Sequence, residues 1–397
     1  MSFFLVVILV LSLMYGYVGW RFIVPAAFST PVNILVWGLL IVLLVLPFMP
    51  VVFRFNNIEG EWTNIIAWIG YLSFGFFTLL FAIVFLRDVA YALITIVQKT
   101  VEFSSHLIGA GAASAKAIDP LRRALVMNSV NAGLLAVTGG LMAYGMYEAL
   151  RKPAIVELTI PIKNLPKDLE GLRIVQITDI HVSQTIRRPF VQYVVETVNS
   201  LKPDLVALTG DLVDGSVEQL GHDTAPLADL KAPHGMFFIT GNHEYYSGVE
   251  QWVEETARLG FTVLLNEHRI VQRGEGQLIL AGVTDYSGGQ FSPSHLSDPH
   301  KAITGAPVNL PRILLAHQPK SIFESSKAGY DYVISGHTHG GQYEPYHFLT
   351  RMSQPYLSGL HDFNGTRIYV SRGTGYWGPQ IRIGARSEIT VHTLVGA

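Results

Sequence analysis

The chain has no cysteine, which excludes disulfide frameworks and thiolate metal sites while saying nothing about compartment. Charge is almost missing from the first 86 residues, where Arg21, Arg54, Glu59 and Glu61 are the charged side chains. An excess of one sign is also missing: 28 Lys and Arg against 30 Asp and Glu give a net charge of -2. No basic stripe marks a nucleic-acid partner. Internal repeats and low-complexity tracts are absent too; the run 109–117, "GAGAASAKA", is rich in small residues but short. At 397 residues the chain exceeds one ordinary domain. Histidine divides it: of 14 histidines, all but His106 lie beyond residue 150. The front is apolar, the back polar and histidine-rich.

Four segments of the front are long and apolar enough to cross a bilayer as helices, which takes about 20 residues. They are residues 2–20, 32–53, 64–86 and 124–147. The first lacks the basic start and small-residue cleavage site of a signal peptide. Pro47 and Pro50 predict a kink in the second. Asn128, Asn131 and Gly139–Gly140 suit the fourth to a packed interface. The block is either an anchor alone or a route that admits a lipid substrate. Between the third and fourth segments stand Arg87, Lys99, Lys116, Arg122 and Arg123, against Arg21 and Arg54 in the other loops. The excess of positive charge puts that third loop in the cytoplasm and the C-terminal part outside it. Arg122–Arg123, directly before the fourth segment, resembles a twin-arginine export signal or else marks the cytoplasmic edge.

From Arg151 the pattern changes to short apolar runs separated by helical stretches. Candidate strands are 172–178, 204–210, 236–240, 277–283, 312–316, 330–334 and 367–371, with helical periodicity over 187–202 and 249–260. Alternating strands and helices predict α/β layers. Five of the strands end in metal-type side chains. These are "TDIH" with Asp179 and His181, "GDLVD" with Asp211 and Asp214, and "GNHE" with Asn242 and His243; "AHQP" follows with His317 and "SGHTHGGQ" with His337 and His339. Function collects at the carboxyl ends of strands in α/β sheets. Nitrogen and oxygen donors without thiolate suit Mn, Fe or Zn better than Mg or Ca. There are too many for one tetrahedral ion and enough for two octahedral ions sharing a carboxylate. Two such ions carry about +4 and attract an anion such as a phosphate ester; set about 4 Å apart, they clamp the attacking and leaving oxygens of a displacement.

The ordered set D-x-H, G-D-x-x-D, G-N-H-[DE], H and G-H-x-H resembles the calcineurin-like metallophosphoesterase superfamily. The longer stretches "APHGMFFITGNHEYYSG", "SGHTHGGQ" and "YVSRGTGYWGPQIRI" resemble its membrane-linked bacterial branch, which includes phosphodiesterases of lipid-linked substrates. The resemblance covers roughly residues 154–397 and leaves the first three apolar segments unexplained. It implies an α/β fold, a four-layer sandwich of two mixed sheets flanked by helices. The implied division is a transmembrane domain over 1–150 and a metallophosphoesterase domain over 151–397. One metal would be held by Asp179, His181, Asp211 and His339, the other by Asp211, Asn242, His317 and His337, with Asp211 bridging. Manganese comes first among the candidate divalent ions, then iron or zinc. A hydroxide held between them would attack a phosphodiester or pyrophosphate. His243 would be the general acid, oriented by Asp214.

Two departures narrow the substrate. Protein phosphatases carry arginines where this chain has Gly215 and Thr240, so a phosphoprotein substrate is disfavoured. Ser387 stands where the branch has proline. The expected partners are a phosphate-ester substrate, lipid-linked or not, and membrane lipids. The alternative is a non-catalytic membrane scaffold or transporter accessory with a metal-binding extracytoplasmic domain. A transporter wants ionisable residues inside its spans, and the four segments contain none. His106, His222, His268, His295, His300, His347, His361 and His392 lie outside the motifs and read as solvated or structural. Tyr245, Tyr246, Tyr376 and Trp377 are cleft-lining candidates or ordinary packing.

Overall fold

The computed structural model describes residues 2–56, 58, 60–107 and 119–397. Glu59 and the whole small-residue run 109–117, Lys116 included, are among the residues read above that lie outside this description. The chain divides into two compact units, Met1–Gly145 and Met146–Ala397.

In the first unit α1 (Ser2–Ala26), α2 (Thr30–Val45), α3 (Met49–Phe55) and α4 (Glu61–Leu107) are followed by α5 (Pro120–Leu150), which runs on into the second unit. A 3-10 turn over Leu46–Phe48 breaks the second apolar segment at Pro47, because proline removes an amide donor and clashes with the preceding turn. Among the described residues four stretches are long and apolar enough to span a membrane: Leu5–Ala26, Thr30–Phe53, Glu61–Ser105 and Ala124–Leu150.

Two readings of the front are corrected here. Residues 87–107 are helix rather than loop: α4 has 47 residues, roughly 70 Å at 1.5 Å each, against a hydrocarbon core of about 30 Å. The helical stretches also hold ionisable groups, Arg21 in α1 with Arg87 and Asp88 in α4. Asp88 accepts from Arg21 Nη2 at 2.6 Å, from Arg87 Nε at 2.9 Å and from the Tyr17 hydroxyl. Arg87 Nη1 donates to Asn131 Oδ1 at 2.8 Å. Mutual pairing lets the helix run on through charges that end a hydropathy window. Asp88 stands 27 residues after Glu61, roughly 40 Å along the axis, so the cluster sits at the edge of an apolar layer. A Cβ on Gly139 or Gly140 would meet nothing within 4 Å, whereas Asn131 is buried and donates to the Arg21 carbonyl at 3.0 Å, so it is Asn131 that packs in the fourth segment.

The second unit is built on two six-stranded mixed sheets. Its strands are β1 (Ala154–Ile162), β2 (Arg173–Ile177), β3 (Leu205–Leu208), β4 (Met236–Phe238), β5 (Thr262–Val263) and β6 (Glu267–Arg273). Then come β7 (Gly276–Gly282), β8 (Arg312–Leu315), β9 (Tyr332–Ser335), β10 (Gly359–Phe363), β11 (Thr366–Val370) and β12 (Glu388–Gly396). One sheet runs β1-β12-β2-β3-β4-β5, the other β10-β11-β9-β8-β7-β6. The period of two along each strand sorts the side chains. Ile174, Leu205, Ile313 and Tyr332 meet between the sheets. Val175 and Val206 face a helix over Arg188–Ser200, with Val191, Val194 and Val198, while Leu314 and Val333 pack on Ile322 outside the second sheet. The result is four layers: helices, sheet, sheet, helices. Strands β2, β3 and β4 run parallel, as do β7, β8, β9 and β11.

Candidate metal centre

The candidate ligands stand on the loops that leave β2, β3, β4, β8 and β9 at their carboxyl ends. The turns are sharp. Asp179, His181, Asp211, His337 and His339 all have φ between 51° and 74°, a left-handed conformation that costs a non-glycine residue on the order of 1 kcal/mol or more. Side-chain room is equally tight. A Cβ on Gly241 would overlap the Asp211 carboxylate, and one on Gly336 would overlap Asp179 and Thr178.

The structure brings six of the seven sequence-derived candidates, all but Asn242, into linked groups that are buried except for half-buried His337. Ligand-type atoms of Asp179, His181 and His339 lie within 4.8 Å of one another, as do those of Asp211, His317 and His337. His181, Asp211 and His243 form a third such group. Oδ2 of Asp211 is 3.1 Å from His317 Nε2, 3.8 Å from His181 Nε2 and 4.0 Å from His243 Nε2. Its Oδ1 accepts from the His243 backbone amide at 2.9 Å. His317 donates from Nδ1 to the Thr209 carbonyl at 2.8 Å, which leaves Nε2 as its free donor atom. His337 sets Nδ1 beside it at 3.2 Å, while its amide donates to Asp179 at 3.0 Å. Nε2 of His181 faces Nε2 of His339 at 3.0 Å. Asn242 is buried with Oδ1 lacking any hydrogen-bond partner. An orphaned amide oxygen and paired imidazole nitrogens fit divalent cations, and the nitrogen and oxygen donor set matches.

Asp214 Oδ1 accepts from two imidazoles, His243 Nδ1 at 2.5 Å and His181 Nδ1 at 3.2 Å. Burial works against every charge here, and the neighbours decide the outcome. Burial would raise Asp214, yet His181 and His243 hold it below the carboxylate range. Burial would lower His243, yet Asp211 and Asp214 push it up to about 9. Burial and the charge on His317 bring His337 down to about 3. The T-shaped rings of His181 and His243 lie 4.6 Å apart.

Sequence reasoning missed four supports. Glu244 takes the amides of Gly241, Asp211 and Leu212 at 2.6, 3.0 and 2.8 Å, tying the β3 and β4 loops together. Burial and the nearby Asp211 raise its pKa to about 8. Asp285 accepts twice from Gln318 Nε2, at 3.1 Å each, and so braces the residue after His317. Gln342 fastens the loop carrying Trp377 through that residue's amide and carbonyl, at 3.0 and 2.9 Å. Arg382, fully buried, donates to the carbonyls of His339, Gly375 and Ala385 and sets Nη2 2.9 Å from His339 Nδ1. Glu244, Gln342 and Arg382 had a signal, lying within "GNHE", "SGHTHGGQ" and "YVSRGTGYWGPQIRI"; Asp285 had none. The aromatic candidates divide. Tyr246 and Trp377 flank His243 at 5.2 and 5.8 Å and are 50% and 43% exposed. Tyr245 and Tyr376 are buried packing residues.

A family model described as calcineurin-like phosphoesterase matches residues 172–341. A Danio rerio transmembrane protein with metallophosphoesterase domain is 40% identical over 264 residues, 64% of this chain and 60% of the relative. An uncharacterized metallophosphoesterase of Helicobacter pylori is 40% identical over 275 residues, 68% of this chain and 71% of its own length. One from Bacillus subtilis is 31% identical over 287 residues, 68% of this chain and 94% of its own length.

Proposed function

Because this chain belongs to the calcineurin-like phosphoesterase family, we propose that it is a membrane-anchored hydrolase of phosphate esters working with two divalent metal ions. One observation carries this reading: Oδ2 of Asp211 faces both groups of ligand-type atoms at once. Asp179, His181 and His339 would complete one site around Asp211, and Asn242, His317 and His337 the other. Bound there, the ions would supply Lewis acidity and an activated water, with manganese the first candidate and iron or zinc next. His243 is the general acid. Asp214 holds its Nδ1–H, so Nε2 carries the proton that the departing alkoxide needs, a role worth about 10²- to 10⁴-fold. Its raised pKa keeps that proton in place at neutral pH.

The proposed substrate is a phosphodiester or pyrophosphate, lipid-linked, of the kind handled by the membrane-linked bacterial branch. Three features support it: the apolar first unit, the exposed Trp377 and Tyr246 beside His243, and Gly215 and Thr240 in place of phosphate-clamping arginines. The catalytic unit faces the extracytoplasmic side. Arg87 is taken up by Asp88, yet Lys99, Lys116, Arg122 and Arg123 still outnumber Arg21 and Arg54. With Arg21, Arg87 and Asp88 in the helical stretches, a lack of charge no longer argues against the transporter reading. The complete ligand set does, since a domain that only binds has no need of a protonated His243. Purified, manganese-loaded protein should cleave a bis-ester and a nucleotide-linked lipid faster than a mono-ester. Preference for the mono-ester would overturn the diester assignment.

A further inference from the structure

Behind the loop that carries His337 and His339 lies a cavity of about 440 Å³, within the size range of small-molecule sites. None of its lining residues is a candidate metal ligand, and none carries a carboxylate. Arg351 and Arg372 both line it. Arg351, on the last turn of the helix Tyr346–Ser353, has no carboxylate within 4.0 Å among the described residues. Arg372 reaches Glu388 only at 3.4 Å, and that carboxylate also accepts from the Tyr369 hydroxyl at 2.6 Å. Two arginine side chains thus line one concave surface, with Glu388 beside Arg372 and Glu344 3.8 Å from the lining His347 as the neighbouring carboxylates.

The rest of the wall is chosen for an organic body. His361 stacks on Tyr356 with centroids 4.2 Å apart and planes 11° apart, its Nε2–H given to the Ser358 carbonyl. That presents a flat aromatic flank beside the cations. Gln354 is 7% exposed; its Nε2 donates to Gln318 Oε1 at 3.1 Å, and its Oε1 has no partner. Gln318 is in turn fixed by Asp285, so the amide of Gln354 cannot turn round without losing its bond.

We propose that this cavity is a binding site for a phosphorylated small molecule, its phosphate gripped by Arg351 and Arg372 and its ring laid against Tyr356 and His361. Arginine pairs favour a tetrahedral oxyanion over a point anion because each guanidinium offers parallel donors. Cations are excluded by the two arginines. The site is distinct from the metal centre but shares a wall with it: Arg382 Nη2 bonds the Arg372 carbonyl at 2.8 Å and faces His339 Nδ1.

Phenylphosphonate, a non-hydrolysable aryl analogue, tests this by calorimetric titration of the purified full-length protein. Asp211→Asn, which disables the metal centre, should keep a binding event. Combined with it, Arg351→Gln, on an exposed helix, should weaken that event roughly tenfold, as expected for one charge-assisted contact. Adding Arg372→Gln should abolish it. Binding unchanged by Arg351→Gln overturns the proposal, and so does binding lost in Asp211→Asn alone. If Asp211→Asn instead keeps both ions and full hydrolysis, the assignment of Asp211 as the shared ligand fails while the cavity result stands.

Discussion

His243 is the residue at which binding and catalysis part. It follows Asn242 directly, and one bond to Asp214 fixes its ring at 2.5 Å. If its work is proton donation, His243→Asn should keep both ions and slow esters with poor leaving groups by about 10²-fold or more. A p-nitrophenyl ester, whose leaving group needs little protonation, should lose much less. Equal losses on both esters would remove the acid role, and loss of an ion would make His243 a ligand. At this scale the sequence was informative wherever chemistry demands a residue type. Asp179, His181, Asp211, Asn242, His317, His337 and His339 stood out because only such side chains bind metals. Glu244, Gln342 and Arg382 did not, because they act on backbone amides and carbonyls that any fold supplies. His347 and His361, read as solvated or structural, line the arginine cavity; nothing in their sequence neighbourhood joins residue 347 to residue 372.

Among elements, the central strands were legible and the marginal ones were not. β2, β3, β8 and β9 are buried on both faces and read as continuous apolar runs. β1, β6 and β10 are partly exposed, with polar residues interrupting their apolar ones, and went unread. β12, unread too, contains His392, buried between the sheets, with Nδ1 2.7 Å from the Tyr332 hydroxyl and Nε2 3.2 Å from Gln176 Oε1. Burial lowers its pKa to about 3. The unfolded chain therefore binds a proton between about 6.5 and 3 that the folded one refuses. This contribution to stability is complete above pH 6.5 and is lost as pH falls towards 3. At pH 5 the loss is roughly 2 kcal/mol. His392→Gln should shrink the drop in Tm between pH 7 and pH 5, whatever it does to Tm at pH 7. An unchanged drop would place the acid sensitivity elsewhere. In the helical unit the misreading had an equally physical cause: Arg87 and Asp88 look like the end of a span until Arg21 and Tyr17, distant in sequence, neutralise them.

For the whole molecule, the two mixed sheets aim the carboxyl ends of parallel strands at one place, and six candidate ligands from four loops meet there, with Asn242 on the fifth loop. Sidedness is a property of the full chain as well. A reporter that works only outside the cytoplasm, fused after Ala397, should be active; a silent one beside an active cytoplasmic reporter would reverse the orientation. The central claim is two ions sharing Asp211, and counting ions tests it most directly. Elemental analysis of the purified full-length protein, beside hydrolysis of a bis-ester on the same samples, should find two divalent ions per chain in the wild type. Asp211→Asn should hold one or none, with hydrolysis lost. Two ions per chain and undiminished hydrolysis in Asp211→Asn would contradict the account.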